Sequence, residues 1–261
     1  MDSSGVERTA TDLAHRPVVQ RAARAGFAVT GLVHLVIAWI AAQLAIGGGS
    51  GTADQTGALR AMASTPAGGP VLVVAAVALA VLALWFLVES AVTSGGATDR
   101  VKAVGRALVY GALAWTSVRV LMGDDGSSRR QSQSFTADVM RHTGGKVAIV
   151  VLGLAVVGIA VYHVVKGVKR RFLDDLSQSP GRWAVLAGQL GYIAKGVALA
   201  VVGLLFVSAA VQSKPSEAGG LDAALRALLD QPFGAALLLA VAIGLACFAF
   251  YSFVRARYGR L

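Results

Sequence analysis

Six uninterrupted apolar stretches, each long enough to cross a lipid bilayer, dominate this 261-residue chain. A transmembrane helix needs roughly 20 predominantly apolar residues. The stretches that meet this requirement are residues 27–46, 70–92, 101–122, 147–168, 191–211 and 233–254. The strands of a membrane barrel instead alternate polar and apolar residues over about ten positions. The apolar runs of this chain are continuous and longer, so a barrel is excluded. The sequence therefore predicts an all-α integral membrane protein with six transmembrane helices.

The composition excludes most other classes of protein. Hydrophobic residues make up 56% of the chain and charged residues 15%, whereas soluble domains contain about 45–50% and 25%. The single cysteine, Cys247, excludes an internal disulfide framework and a cysteine-based metal site. The sequence contains no phosphate-binding loop, nucleophile elbow or zinc-protease motif. We therefore expect neither an enzyme nor a protein with a cofactor.

Lysine and arginine are distributed unevenly between the two predicted sides of the membrane. Fifteen lie on the side that carries both termini, and seven lie on the other. Because cytoplasmic loops are enriched in basic residues, we predict that the tails at residues 1–23 and 255–261 are cytoplasmic, in a protein of the plasma membrane. Anionic lipids on the cytoplasmic face explain the net charge of +10, and we expect no nucleic-acid partner.

The six spans form three related pairs. The motif Gly-Phe-Ala-Val-Thr-Gly at residues 26–31 returns as Gly-Tyr-Ile-Ala-Lys-Gly at residues 191–196, and a divergent copy occupies residues 106–111. These copies divide the chain into three repeats, at residues 24–92, 93–168 and 169–254. Each repeat has an even number of spans, so all three point the same way, and we expect them to be related by an axis along the membrane normal.

A short amphipathic helix is predicted in the outer loop of each repeat. In repeat 3 the apolar positions share one helical face; they are Leu221, Ala224, Leu225, Leu228 and Leu229. In repeats 1 and 3 the helix is followed by a proline and, two residues later, a glycine. Repeat 2 is aligned with repeat 1 at an offset of 76 residues. In this alignment Phe135 and Val139 share the apolar face, and His142 stands in place of the proline. We expect these helices at the outer interface.

The repeat motifs resemble a known family, domain of unknown function 1206, which comprises bacterial membrane proteins with three two-helix units per chain. The resemblance covers about residues 24–257 and rests on the glycine–aromatic start of the odd spans and the proline–glycine start of the even spans. It also rests on aromatic residues near the ends of the even spans, namely Trp85, Phe86, Tyr162 and Tyr251. In the family a basic residue usually precedes the second glycine of the odd spans; Lys195 retains it, whereas Thr30 and Tyr110 do not. The resemblance implies the fold and no activity.

Four ionisable residues in the cytoplasmic half of the spans form the candidate site: His34, Glu89, His163 and Lys195. Such groups are costly in a bilayer and mark candidate functional positions. Glu89 and Lys195 would neutralise each other if they met, and His34 could then share a proton with them. Two alternatives stay open. In the first, Glu89 pairs with an interfacial arginine or lysine and His34 forms a hydrogen bond within the bundle. In the second, His34 and His163 ligate a haem.

Three classes of function are compatible with the sequence. Short loops and the lack of a catalytic constellation favour a structural or accessory component of the cytoplasmic membrane, or of a membrane complex with a protein partner. The alternative is a small transporter or channel that uses the polar cluster; the three parallel repeats are similar in layout to mitochondrial carriers, although no odd span carries the carrier motif Pro-x-Asp/Glu-x-x-Lys/Arg. An intramembrane enzyme would need converging acid–base groups, which only the region around Glu89 offers.

Overall fold

The computed structural model describes residues 17–49, 51–92, 96–124 and 126–260, which form nine α-helices. The six long helices are α1 (Pro17–Ala45), α3 (Gly68–Val92), α4 (Ala97–Leu121), α6 (Gly145–Val168), α7 (Arg182–Val211) and α9 (Gly234–Tyr258). The three short helices are α2 (Gln55–Ala63), α5 (Ser128–Met140) and α8 (Gly220–Leu229). The all-helical fold predicted from the sequence is thus confirmed, with one short helix between the two long helices of each repeat.

Five of the long helices are long and apolar enough to cross a membrane: α1, α3, α6, α7 and α9. The helix at the third predicted span, α4, differs from them because its first ten residues include four charged ones: Asp99, Arg100, Lys102 and Arg106. It is nevertheless 25 residues long, like α3 and α9. Five of the six predicted spans are thus supported by length and apolarity, and α4 is not among them.

The long helices form an incomplete ring. The last helix of each repeat packs along the first helix of the next: α3 along α4, α6 along α7, and α9 along α1. Within repeats, α1 contacts α3 and α7 contacts α9. In the described part of the chain, α4 and α6, the two long helices of repeat 2, do not pack along each other. The ring is therefore open on one side, and we call this opening the α4/α6 gap.

Small residues allow the helices of the ring to approach closely. Where α6 and α7 run antiparallel, a Cβ atom added to Gly196 would lie 2.8 Å from the carbonyl oxygen of Ala160. A Cβ atom on Gly167 would lie 3.0 Å from the carbonyl oxygen of Gln189. In lipid, helix association depends on such close packing because burial of apolar surface contributes little.

In all three repeats the short helix leads into the second long helix (α3, α6 or α9) through the same turn. The amide of Gly68 donates a hydrogen bond to the carbonyl oxygen of Thr65, with N···O 2.8 Å. Gly145 does the same to His142 at 2.9 Å, and Gly234 to Gln231 at 2.8 Å. A Cβ atom on any of the three glycines would collide with the carbonyl oxygens that end the short helix. The geometry of the turn therefore requires glycine.

These hydrogen bonds correct the alignment of repeat 2. Gly145 corresponds to Gly68 at an offset of 77 residues, not 76. The residue in place of the proline is therefore Thr143 rather than His142. The same shift puts Thr136, which is fully buried, at the position of Leu59 and Leu225, whereas Phe135 is 53% exposed. The predicted apolar face was therefore wrong at Phe135, because a one-residue shift turns a helix by about 100°. Val139, in contrast, packs against the core as predicted.

The short helices and the loops beside them form a second ring, which we call the cap. The hydroxyl groups of Thr56 and Ser128 share a hydrogen bond between α2 and the start of α5. Gln133 Nε2 of α5 donates to the carbonyl oxygen of Ser216 beside α8, at 2.7 Å. The amide of Ala53 donates to Asp222 Oδ1 of α8 at 2.8 Å, which closes the circle back to α2. The cap is therefore linked at all three junctions, unlike the ring of long helices.

An apolar core fills the half of the bundle next to the cap. Its members come from α1, α2, α3, α7, α8 and α9, and the fully buried ones include Ile37, Leu59, Leu72, Leu225, Leu238 and Leu245. Polar side chains concentrate at the opposite end, where the described chain begins and ends, and which we call the basic end. The four candidate site residues lie in that half.

Candidate functional site

His34 and Lys195 meet at one aromatic ring. The Lys195 ammonium lies 4.3 Å from the centroid of the Phe248 ring, and the imidazole of His34 lies 4.8 Å from the same centroid. The Nδ1 atom of His34 is 2.8 Å from the carbonyl oxygen of Thr30, one turn earlier in α1. Helices α1, α7 and α9 thus each contribute one residue, and two of the four predicted site residues come together.

His163 joins this cluster through a second ring. Its imidazole lies 5.8 Å from the centroid of Tyr192, which in turn lies 5.3 Å from Phe248. Its Nδ1 atom is 2.8 Å from the carbonyl oxygen of Ile159. The contact path from His163 to His34 therefore runs through two aromatic side chains.

Glu89 lies elsewhere, in the interface between α3 and α4. Its Oε1 atom is 3.9 Å from Nη1 of Arg106, and both side chains are about two-fifths exposed. In the described structure no ion pair joins Glu89 to Lys195. The two residues were expected to meet because of their similar depth, but depth does not determine the direction in which a side chain leaves its helix. The orientation of α3 directs Glu89 to α4.

Glu89 nevertheless has counterparts in the other two repeats. At offsets of 77 and 166 residues, the same offsets that relate the turn glycines, stand Lys166 and Arg255. Lys166 Nζ lies 5.3 Å from the centroid of Tyr192, and Arg255 Cζ lies 4.3 Å from that of Phe27. Each of the three interfaces between repeats thus contains one charged residue from the second long helix of a repeat, which is α3, α6 or α9. Lys166 and Arg255 belong to the fifteen basic residues counted on the cytoplasmic side and were not predicted as site residues. The repeat offsets were the signal that could have identified them.

Lys195 and Arg255, two cations inside the bundle at this end, have no carboxylate partner within ion-pair distance among the described residues. Lys166 forms an ion pair with Asp175 at 2.7 Å, and both side chains are largely buried. In contrast, no described carboxylate lies within ion-pair distance of Lys195 or Arg255. The Nε atom of Arg255 is buried and has no hydrogen-bond partner among the described residues. Lys195 and Arg255 are close enough to repel each other electrostatically. Asp175 attracts Arg255 but is already paired with Lys166, so the site carries a net positive charge.

Aromatic rings surround these cations. On one side Phe27 contacts Tyr110, whose ring stacks on Phe86 at a centroid distance of 5.5 Å. On the other side Tyr192 stacks on Phe172 at 5.6 Å, and the Tyr251 hydroxyl donates a hydrogen bond to the carbonyl oxygen of Phe172 at 2.7 Å. Cation–π contacts stabilise a buried charge by about 0.5–2 kcal/mol, well below the cost of burying it. We call Lys195, Arg255 and the rings around them the cationic cluster. Its rings are those of Phe27, Phe86, Tyr110, Phe172, Tyr192, Phe248 and Tyr251.

The chemistry available to the cationic cluster is the binding of negative charge. A buried guanidinium and an ammonium form strong, charge-assisted hydrogen bonds to carboxylate or phosphate oxygens. The described residues contain no group of three or more histidine, cysteine, aspartate or glutamate side chains that could hold a metal ion. The arrangement therefore fits an anion better than a cation.

The cap contains a different pair of buried charges. Asp54 Oδ1 accepts a hydrogen bond from the amide of Gly57 at 2.8 Å, while its Oδ2 atom is buried and has no hydrogen-bond partner among the described residues. Burial raises the pKa of Asp54, and the negative charge of Asp222 raises it further, against the opposing effect of the Gly57 amide. Asp222 is buried too, but it is paired with Arg226 at 2.9 Å. The pair is spaced i, i+4 along α8 and therefore shares one helical face, with Asp222 buried and Arg226 partly exposed.

Five apolar helices of membrane-spanning length, arranged with the others in internal repeats, define a multi-pass membrane protein. The chain belongs to the DUF1206 family: the profile of the Domain of Unknown Function (DUF1206) matches it three times, at residues 25–93, 101–170 and 190–259. This confirms the family resemblance and the three repeats. The chain is also similar to "Uncharacterized protein YxxB" of Bacillus subtilis (strain 168), with 24% identity over 255 residues, which covers 93% of this chain and 92% of that protein. No solved structure matches the chain.

Proposed function

We propose that this protein is an accessory component of the cytoplasmic membrane that binds an anion in its cationic cluster and catalyses no reaction. The observation that carries the proposal is the net positive charge at Lys195 and Arg255, neither of which forms an ion pair with a described carboxylate. A charge inside a membrane protein is retained at a cost of several kcal/mol. An anionic ligand would remove that cost and satisfy the free Nε atom of Arg255.

We further propose that all six long helices cross the membrane, with both termini in the cytoplasm. The contacts of α4 support this topology: Phe86 stacks on Tyr110, and Glu89 contacts Arg106. Along these contacts the residue numbers increase in α3 while they decrease in α4, so α4 runs antiparallel beside α3. Its charged first turns lie at the basic end, where long basic side chains reach the headgroups. Anionic lipids of the cytoplasmic leaflet attract the same end.

Binding is favoured over conduction because the cationic cluster occupies only the basic end. The half next to the cap is filled with leucine, isoleucine and alanine side chains. The cap itself is linked by hydrogen bonds at each junction. A polar ligand that reached Lys195 would find no polar path onward through the described residues.

A small transporter is the second candidate. The observation that favours it is the contact cluster of His34, Lys195 and His163 around Phe248 and Tyr192. Two imidazoles and an amine close to each other inside a bundle resemble the proton-relay groups of pumps and transporters. Transport would require the apolar half to open, which distinguishes this candidate from simple binding.

The binding proposal is tested by thermal unfolding of the full chain in phosphatidylcholine nanodiscs. We expect added sodium phosphate to raise the melting temperature saturably, relative to sodium chloride of equal ionic strength, because a ligand of the native state stabilises it. Lys195→Met should abolish the shift. Lys169→Met, which removes an exposed cation at the same end, should retain it. An unchanged melting temperature in the wild type, or equal shifts in both variants, would refute the proposal.

A flux measurement separates the two candidates. The protein is reconstituted into sealed vesicles, and uptake of labelled phosphate is followed with and without a pH gradient. We expect binding without uptake above protein-free vesicles. Uptake that depends on Lys195 would support the transporter and contradict an accessory binding protein.

A further inference from the structure

The α4/α6 gap leads from the side of the bundle toward the cationic cluster. α4 is packed along α3 and α6 along α7, while neither is covered by the other. On α4, Tyr110 contacts Phe27, the residue on which Arg255 lies. On α6, His163 contacts Tyr192, which lies beside Phe248 and Lys195. The helices on both sides of the gap thus touch the cluster.

The two helices that border the gap expose apolar side chains. α6 is the least buried of the five apolar helices, and Leu154 and Ile159 are more than half exposed. On α4, Leu108 and Val109 are also more than half exposed. An added Cβ atom would meet nothing within 4 Å at Gly158. A ligand that fits both this gap and the cluster has an apolar part and an anionic part.

From this combination we infer that the anion is the headgroup of an anionic phospholipid. Its phosphate lies against Lys195 and Arg255, and its acyl chains lie in the α4/α6 gap. The cap closes the far end of the bundle through Gln133 and the Thr56–Ser128 hydroxyl pair, so the lipid enters from the leaflet at the basic end. This inference rests on the proposed anion site and adds the class of ligand and its route.

Native mass spectrometry tests the inference on the full chain released from nanodiscs that contain equal amounts of phosphatidylglycerol and phosphatidylcholine. We expect the wild type to retain phosphatidylglycerol in preference to phosphatidylcholine. The retained ratio should fall about fivefold in Lys195→Met and again in Arg255→Met, a change that corresponds to roughly 1 kcal/mol for each basic residue. Lys169→Met serves as the matched control and should leave the ratio unchanged.

The phosphate melting experiment separates failure of this inference from failure of the anion site. If phosphate stabilises the wild type through Lys195 but no phosphatidylglycerol is retained, the site binds a soluble anion and the lipid inference is wrong. If neither probe responds to Lys195, both proposals are wrong. Because variants can fail to fold, the wild type is also melted in nanodiscs of each lipid alone. Equal melting temperatures in the two lipids would contradict the inference.

Discussion

Gly153 of α6 and Gly203 of α7 face each other directly: a Cβ atom on either would lie 2.7 Å from the carbonyl oxygen of the other. Overpacking of this kind costs about 1–3 kcal/mol, so Gly203→Ala should lower the melting temperature. Gly158→Ala on α6 is the matched control, because it meets open space and alanine favours a helix. Equal melting temperatures for the two variants would show that α6 and α7 do not approach as described.

The turn that starts α3 offers an even closer comparison between adjacent glycines. A Cβ atom on Gly68 would collide with the carbonyl oxygens of Met62 and Ala63, whereas one on Gly69 would meet nothing within 4 Å. We expect Gly68→Ala to lower the melting temperature by several degrees and Gly69→Ala to leave it unchanged or raise it slightly. A similar effect of both substitutions would contradict the turn geometry.

Removal of an unpaired buried charge should stabilise the empty protein. In phosphatidylcholine nanodiscs without phosphate, we expect Lys195→Met to melt at a higher temperature than the wild type, because methionine avoids the cost of burying an ammonium group. Lys169→Met should melt like the wild type, since Lys169 is exposed. A Lys195→Met variant that melts lower would indicate that the ammonium has a partner that stabilises it.

Asp54 predicts a pH dependence of the cap. Its folded pKa is raised from the ordinary value of 3.8, so the native state binds the proton more tightly than the unfolded chain does. The contribution of Asp54 to stability is therefore greatest below pH 3.8 and falls as the pH rises through the folded pKa. Asp54→Asn keeps an oxygen for the Gly57 amide and should remove this fall. Melting curves from pH 4 to 8 test this, with Asp138→Asn, at an exposed ion pair, as the control.

The six-span topology predicts which positions face each side of the membrane. In a Cys247→Ala background, Ser64→Cys and Met122→Cys should react with a membrane-impermeant maleimide on intact cells. Gly96→Cys and Ser179→Cys should react only after permeabilisation. All four positions are exposed, so accessibility to the protein surface is matched. Reaction of both Gly96→Cys and Met122→Cys on intact cells would contradict a span by α4.

Much of the fold could be predicted because it depends on local patterns. Runs of apolar residues predicted the long helices, and the proline–glycine pairs before α3 and α9 predicted the turn that the hydrogen bonds of Gly68 and Gly234 reveal. The register of repeat 2 could not be obtained in this way. Phe135 is apolar and Thr136 is polar, so pattern alone favoured the wrong residue for the buried position.

The site was harder to predict because it depends on the rotation of each helix about its own axis. Sequence position placed His34, Lys195 and His163 at a similar depth, and the structure brings them into one contact cluster. The same reasoning could not predict that Glu89 faces α4, since depth carries no information on direction. Arg255 was assigned to the C-terminal tail because the last span was ended at residue 254, whereas α9 continues to Tyr258.

The cap helix of repeat 2 differs in length from its two counterparts. α5 has 13 residues, while α2 has nine and α8 has ten, a difference of about 5 Å at 1.5 Å per residue. The whole connection from α4 to α6, residues 122–144, is nevertheless only one residue longer than residues 46–67 and 212–233 of the other repeats. The extra turn of α5 therefore replaces loop residues and does not lengthen the connection. Copies of one hairpin with nearly equal length can thus divide that length differently between helix and loop, which makes repeat 2 unlike its two neighbours.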